Sequence, residues 1–182
     1  MATDPIRRSA ARTATLVAVP LALAVLALSA LLFWPDPPAT GPVSMTAREL
    51  SQDAVVLCQG VIADLPESVG DNARRPVTQG TEQNAAYGDP PITLECGTSL
   101  PTIPSSAPVY GIGGVCWYPV TRDNQTVWTT VDRTIPVTVT IPDEAAPSGA
   151  AQTVMPLANA IGTTIPVRDE VPSGCQNAAP PS

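Results

Sequence analysis

The residue types that usually carry nucleophilic and acid–base chemistry are thinly supplied in this chain. It contains no histidine, and its nine basic residues are all arginine, so lysine is missing too. Nucleophilic triads built on a histidine base and serine–lysine dyads are therefore excluded. Carboxylates remain. Asp89, Glu95, Asp132 and Glu82 could share acid–base work, yet nothing in their spacing selects a pair, and no catalytic residue is expected. Asp143-Glu144 and Asp169-Glu170 could hold a cation weakly, but no calcium-loop pattern surrounds them. The four cysteines include no Cys-x-x-Cys pair. With histidine absent as well, zinc and dithiol redox chemistry are disfavoured, and neither a metal site nor a cofactor is expected.

Two groups point to binding instead. Arg74-Arg75 is a local basic pair that suits a carboxylate or phosphate partner, or the domain's own acids. Trp117, Tyr118 and Trp128 fall in a strand-rich region, where core packing competes with an aromatic binding surface. Gly111-Ile112-Gly113-Gly114 lacks the lysine and the following helix of a phosphate loop and reads as a turn. Asn124-Gln125-Thr126 matches a glycosylation acceptor, a pattern common by chance.

These residues must be positioned by a small domain lying outside the membrane. From Ala14 to Trp34 the chain runs through twenty-one uncharged, mostly apolar residues, the length of a membrane-spanning helix. Arg7, Arg8 and Arg12 precede this run and Asp36 follows it. The positive-inside rule then puts residues 1–13 in the cytoplasm and everything beyond Trp34 outside, as a single-pass membrane protein. A cleaved signal peptide is the competing reading, but the apolar run is too long and its small-x-small triplets lie inside it. Residues 35–44 carry four prolines and read as a linker with a reach of about 30 Å. The domain then covers residues 45–175, and residues 176–182 form a loose tail.

Charge and cysteine content fit that compartment. The first 34 residues carry three Arg against one Asp, whereas the remainder carries fifteen acidic residues against six Arg. So acidic a domain repels phosphate backbones, and no nucleic-acid partner is expected. Four cysteines in an oxidising compartment imply two disulfides, with three connectivities open.

Within the domain, Thr46-Ala47-Arg48-Glu49 has the form of a capping box, and apolar residues from Leu50 to Leu65 recur at helical spacing until Pro66. Residues 67–91 read as loop. Strands are expected at Ile92–Cys96, at 115–120 and 126–131 around a turn at 121–125, and at 135–141. A second helix spans about Ala150 to Ile161, weakened by Pro156 and ended by Gly162. The fold class is α+β, a small disulfide-stapled antiparallel sheet packed against two helices.

One series is specific. Cys58, Leu65-Pro66, Arg74-Arg75-Pro76 and Ala85-Ala86-Tyr87-Gly88-Asp89-Pro90-Pro91-Ile92-Thr93-Leu94-Glu95-Cys96-Gly97 together resemble the actinobacterial family called domain of unknown function 3515. Trp128-Thr129-Thr130, Arg133 and Pro136 to Pro142 resemble its C-terminal strand. Tyr87 stands where the family usually has Trp, and Glu95 where it usually has Arg, so a basic position has become acidic. The resemblance implies a membrane-anchored or exported envelope protein of unknown activity. It also implies the pairing Cys58–Cys96, leaving Cys116–Cys175. The candidate binding residues are thus Arg74, Arg75, Tyr87, Asp89, Trp117 and Trp128. The expected function is a non-enzymatic binding or accessory domain of the cell envelope, partnered by an envelope or membrane protein; an exported carboxylate-dependent hydrolase or transferase is the alternative.

Overall fold

The structure, a computed structural model, describes residues 41–175 and, before them, Leu23, Val25 and Ser29. The last three are helical. The rest of the expected membrane span, the expected cytoplasmic residues 1–13, linker residues 35–40 and the tail 176–182 lie outside the described residues. Among the described residues no helix is long and apolar enough to cross a membrane.

Eight antiparallel strands form one sheet: β1 (Ser68–Val69), β2 (Asn72–Arg75), β3 (Asn84–Tyr87), β4 (Ile92–Cys96), β5 (Tyr110–Ile112), β6 (Val115–Arg122), β7 (Gln125–Thr130) and β8 (Val137–Pro142). Their spatial order is β1-β2-β3-β4-β8-β7-β6-β5. Strand period two sorts the side chains. Ala85, Leu94, Val139 and Trp128 are successive cross-strand partners and are buried. They join the main core with helix α1 (Gln52–Asp64) and helix α2 (Ala150–Thr164). The opposite face carries Glu95, Thr138 and Thr129 in register. The α+β sandwich expected from the sequence is therefore present, with more strands than its pattern disclosed.

The differences have physical causes. Residues 67–91, expected as loop, contain β1, β2 and β3. β2 reads Asn-Ala-Arg-Arg and has no apolar alternation to find; its pairing sets Arg74 opposite Tyr87 and Arg75 opposite Ala86. β3 is buried along its whole length, because the helices cover one face and residues 43–48 cover the other. Those residues also displace the expected capping box. Asn84 donates to the Thr46 carbonyl, and Gln83 bonds both the N–H and the C=O of Arg48, so this backbone is committed to the sheet. Helix α1 is capped later, by Ser51, whose Oγ accepts from the Ala54 amide at 3.3 Å.

Strand β6 runs two residues further than expected and β7 is shifted one residue earlier, leaving Asp123-Asn124 as a two-residue turn, with Asp123 at φ 50°. Tyr110–Ile112 is a strand, and only Gly113-Gly114 is turn. Gly162 does not end α2, which runs on to Thr164. Gly60 marks where the helices meet: a Cβ there would lie 2.7 Å from the Thr164 methyl.

Both disulfides are formed, Cys58–Cys96 between α1 and β4 and Cys116–Cys175 between β6 and the 3₁₀ turn Ser173–Cys175, each with Cα atoms 5.6 Å apart. Linker residues 41–44 also belong to the folded part: Val43 is buried, and its N–H donates to the Pro76 carbonyl at 2.8 Å.

Candidate functional site

Each arginine–carboxylate pair in the domain is built locally, at a different place on the fold. Arg48 Nη2 and Nε both reach Oε2 of Glu95 on β4, at 3.0 and 3.3 Å. Arg75 Nη1 lies 3.9 Å from Asp89 in the β3–β4 turn. Arg133 Nη2 lies 3.4 Å from its neighbour Asp132 just after β7. Three of the four carboxylates singled out as possible acid–base partners are separated in this way, while Glu82 accepts from the Gln83 side-chain amide at 3.4 Å. Glu95, Asp89 and Asp132 each face their own guanidinium.

The Arg74-Arg75 pair is turned inward. Arg74 Nη2 donates to the Ile62 carbonyl at 2.9 Å in the last turn of α1, where the helix dipole favours a cation. Arg75 donates to the carbonyls of Gly88 and Gly41, at 2.7 and 2.8 Å. Its side chain is only 12% exposed, against 42% for Asp89, so it ties three chain segments together. The two tryptophans are also inside: Trp117 is 0% and Trp128 6% exposed. Trp117 donates its indole N–H to the Ile112 carbonyl. The aromatic ring at the surface is Tyr110, which packs edge-on to Trp128 with centroids 5.9 Å apart. Its strand leaves little mark in the sequence, because Gly111 lies within it and Gly113 and Gly114 follow it.

Tyr87 is buried on β3, and its hydroxyl donates to the Pro66 carbonyl at 3.0 Å. Burial pushes its pKa from 10.0 to about 12; Arg74 opposes that shift and Glu67 adds to it. An acid whose folded pKa is raised contributes stability that is present below the unfolded pKa and is lost as pH rises through the folded one. Alkaline titration should therefore cost the native protein on the order of 2–3 kcal/mol between pH 10 and 12. Tyr87→Phe should be less stable at pH 8 by about 1 kcal/mol, from the lost hydrogen bond, and should lack this alkaline fall. Urea melts at pH 8 and pH 11 check both; parallel losses in the two proteins would refute the assignment.

The Asp132–Arg133 pair is the most buried charge in the described domain, with both side chains under 5% exposed. Helix α2 has no basic residue in its last turn. Arg133 supplies the missing cation from the sheet: its guanidinium donates to the carbonyls of Ile165 (3.1 Å), Gly162 (3.4 Å) and Gly114. That contact explains why Gly162 does not end the helix. Burial holds the Asp132 carboxyl above the usual carboxylate range, with Arg133 and the amides of Cys116 and Asp132 pulling the other way. The sequence signal was a helix C-terminus without Lys, Arg or His, which must find its cation elsewhere.

A cleft of about 450 Å³ opens among the β1–β2 turn, the β3–β4 turn, the 3₁₀ turn Asp143–Ala145 and the first turns of α2. Asp71, Asp89 and Glu144 contribute carboxylates to it, and no arginine lines it. Its wall is rigid: Asn72 bridges the carbonyls of Val69 and Ala145. Gly88 (φ +68°) sits against Asn72, where a Cβ would be 2.1 Å from its Oδ1. Of the carboxylates weighed from sequence, only Asp89 and Glu144 reach the cleft. Among the described residues no group of three His, Cys, Asp or Glu is placed to hold a metal ion.

No curated protein and no solved structure matches the chain. A family match covers residues 15–169 and includes the Arg74-Arg75, Tyr87-Gly88-Asp89 and Asp132-Arg133 elements. The chain belongs to the family described as Protein of unknown function (DUF3515).

Proposed function

We propose that this chain is a single-pass membrane protein whose disulfide-bonded α+β domain lies outside the cell and acts as a binding or accessory module of the envelope rather than as a catalyst. One observation carries the reading: Glu95, Asp89 and Asp132, three of the carboxylates that could share acid–base work, sit beside three different arginines at separate places. Paired-carboxylate hydrolysis needs two such groups within several ångströms of one scissile bond. Groups neutralised singly serve to lock segments of chain instead. Two buried disulfides support an oxidising compartment, and the uncharged run at 14–34 supports the anchor.

The test is crosslinking in intact cells, followed by capture of tagged full-length protein. A reproducible envelope or membrane partner, lost when the domain is replaced by an unrelated disulfide domain on the same N-terminal segment, is expected. Recovery of bulk membrane proteins alone would sink the binding reading.

A further inference from the structure

Residues 41–48 lie along the segment that joins β2 to β3, in the manner of a bound peptide. Val43 pairs in parallel with Val77; its N–H donates to the Pro76 carbonyl, and its carbonyl accepts from the Thr78 amide at 3.0 Å. Two residues on, the Thr78 hydroxyl bonds both the N–H and the C=O of Met45. Exposure alternates along the segment: Gly41, Pro42 and Ser44 face solvent, while Val43 and Met45 are buried. Main-chain pairing for affinity, with alternate side chains in pockets, is the physics of strand addition to a sheet edge. The apolar contacts of Val43 and Met45, with Ala86 and Val77, form a small cluster separate from the main core. Such a segment can open without unfolding what lies beneath.

We propose that residues 41–48 are a displaceable strap, which keeps a strand-addition groove along Pro76–Asn84 filled by the chain's own segment. The partner this groove fits is an extended peptide with apolar side chains at alternate positions. The inference rests on the binding reading above and gives it a surface and a partner class. Leaving the groove uncovers Ala86 and the amide side chains of Gln83 and Asn84, which such a peptide satisfies as the strap does.

The experiment uses purified full-length protein in detergent and a fluorescent synthetic peptide of sequence Thr-Gly-Pro-Val-Ser-Met-Thr-Ala-Arg-Glu. The double variant Val43→Asp, Met45→Asp should speed hydrogen exchange at the Thr78 amide at least about tenfold while leaving β4, β7 and β8 protected. It should also bind the peptide, which native protein excludes. Unchanged exchange at Thr78, loss of protection throughout the sheet, or an opened variant that ignores the peptide would each overturn the proposal. Should the double variant not fold, Met45→Ala removes only a buried side chain of the strap, leaves the groove intact and is judged by the same readouts. A failed groove leaves in-cell partner capture unaffected, so the two readings fall separately.

Discussion

Arg133→Met is expected to lower the unfolding free energy by about 3–5 kcal/mol at neutral pH, the usual cost of stranding one member of a buried ion pair. Two losses combine. Asp132 keeps a buried charge with no cation beside it, and the carbonyls at the end of α2 lose their donor. The pH dependence separates them. Without Arg133 only the amides of Cys116 and Asp132 oppose the burial that raises the Asp132 pKa, so the folded state clings more strongly to a proton that the unfolded chain releases. Stability of the variant must then fall further as pH rises out of the carboxylate range, and the gap from native protein should be smaller near pH 4 than at pH 7. Adding Asp132→Asn should recover part of the loss, because the orphaned charge goes with it. Urea unfolding followed by tryptophan fluorescence at both pH values measures this. A single-variant loss under about 1 kcal/mol, within the range of exposed pairs, would mean that Arg133 is not a clamp.

The second large effect is covalent. Cys58→Ala, Cys96→Ala should cost about 4 kcal/mol, from chain entropy released in a loop with a sequence separation of 38. The bridge fixes α1 to β4, and both sulfurs are fully buried, so the alanines also leave a gap in the core. A chemical readout stands beside the thermal one. Native protein, unreduced, should show no free thiol under denaturing alkylation, since all four cysteines are paired. Two or more reactive thiols in exported protein would contradict the pairing and the compartment together.

Fold class and core were legible because they rest on periodicity. Leu94, Val139 and Ile141 alternate on their strands, and Ala54, Cys58, Val61 and Ile62 return at helical intervals. What escaped was held by polar atoms. β2 and the strap are placed by Arg75, Thr78, Gln83 and Asn84 bonding to backbone, and such partners leave no repeating mark in a sequence. The capping box failed for the same reason: its residue types suit a helix start, but the backbone at Thr46 and Arg48 is held by β3 and the residue before it. The candidate site residues are a different case. Arginine and tryptophan types advertise binding, yet here Arg74 and Arg75 meet carbonyls and Trp117 fills the core. Composition cannot distinguish a charge offered to a ligand from one spent on the fold.

The two disulfides follow one another along the chain, neither nested nor crossed. The first ring, closed at Cys58 and Cys96, contains most of α1 and all of β1 to β4; the second, closed at Cys116 and Cys175, contains most of β6, all of β7 and β8, and α2. The sheet divides at the same boundary, with β1-β2-β3-β4 on one side and β8-β7-β6-β5 on the other. A single peptide-bond cut inside either ring leaves one covalent molecule. A cut between residues 97 and 115, where Leu100 and its neighbours stand in an exposed proline-rich stretch, would instead yield two independently cyclised halves. They would then be held together without a covalent link, by the four-residue seam in which Thr93, Leu94, Glu95 and Cys96 meet Thr140, Val139, Thr138 and Val137, by the meeting of α1 and α2 at Gly60 and Thr164, and by the Asn72 bond to the Ala145 carbonyl.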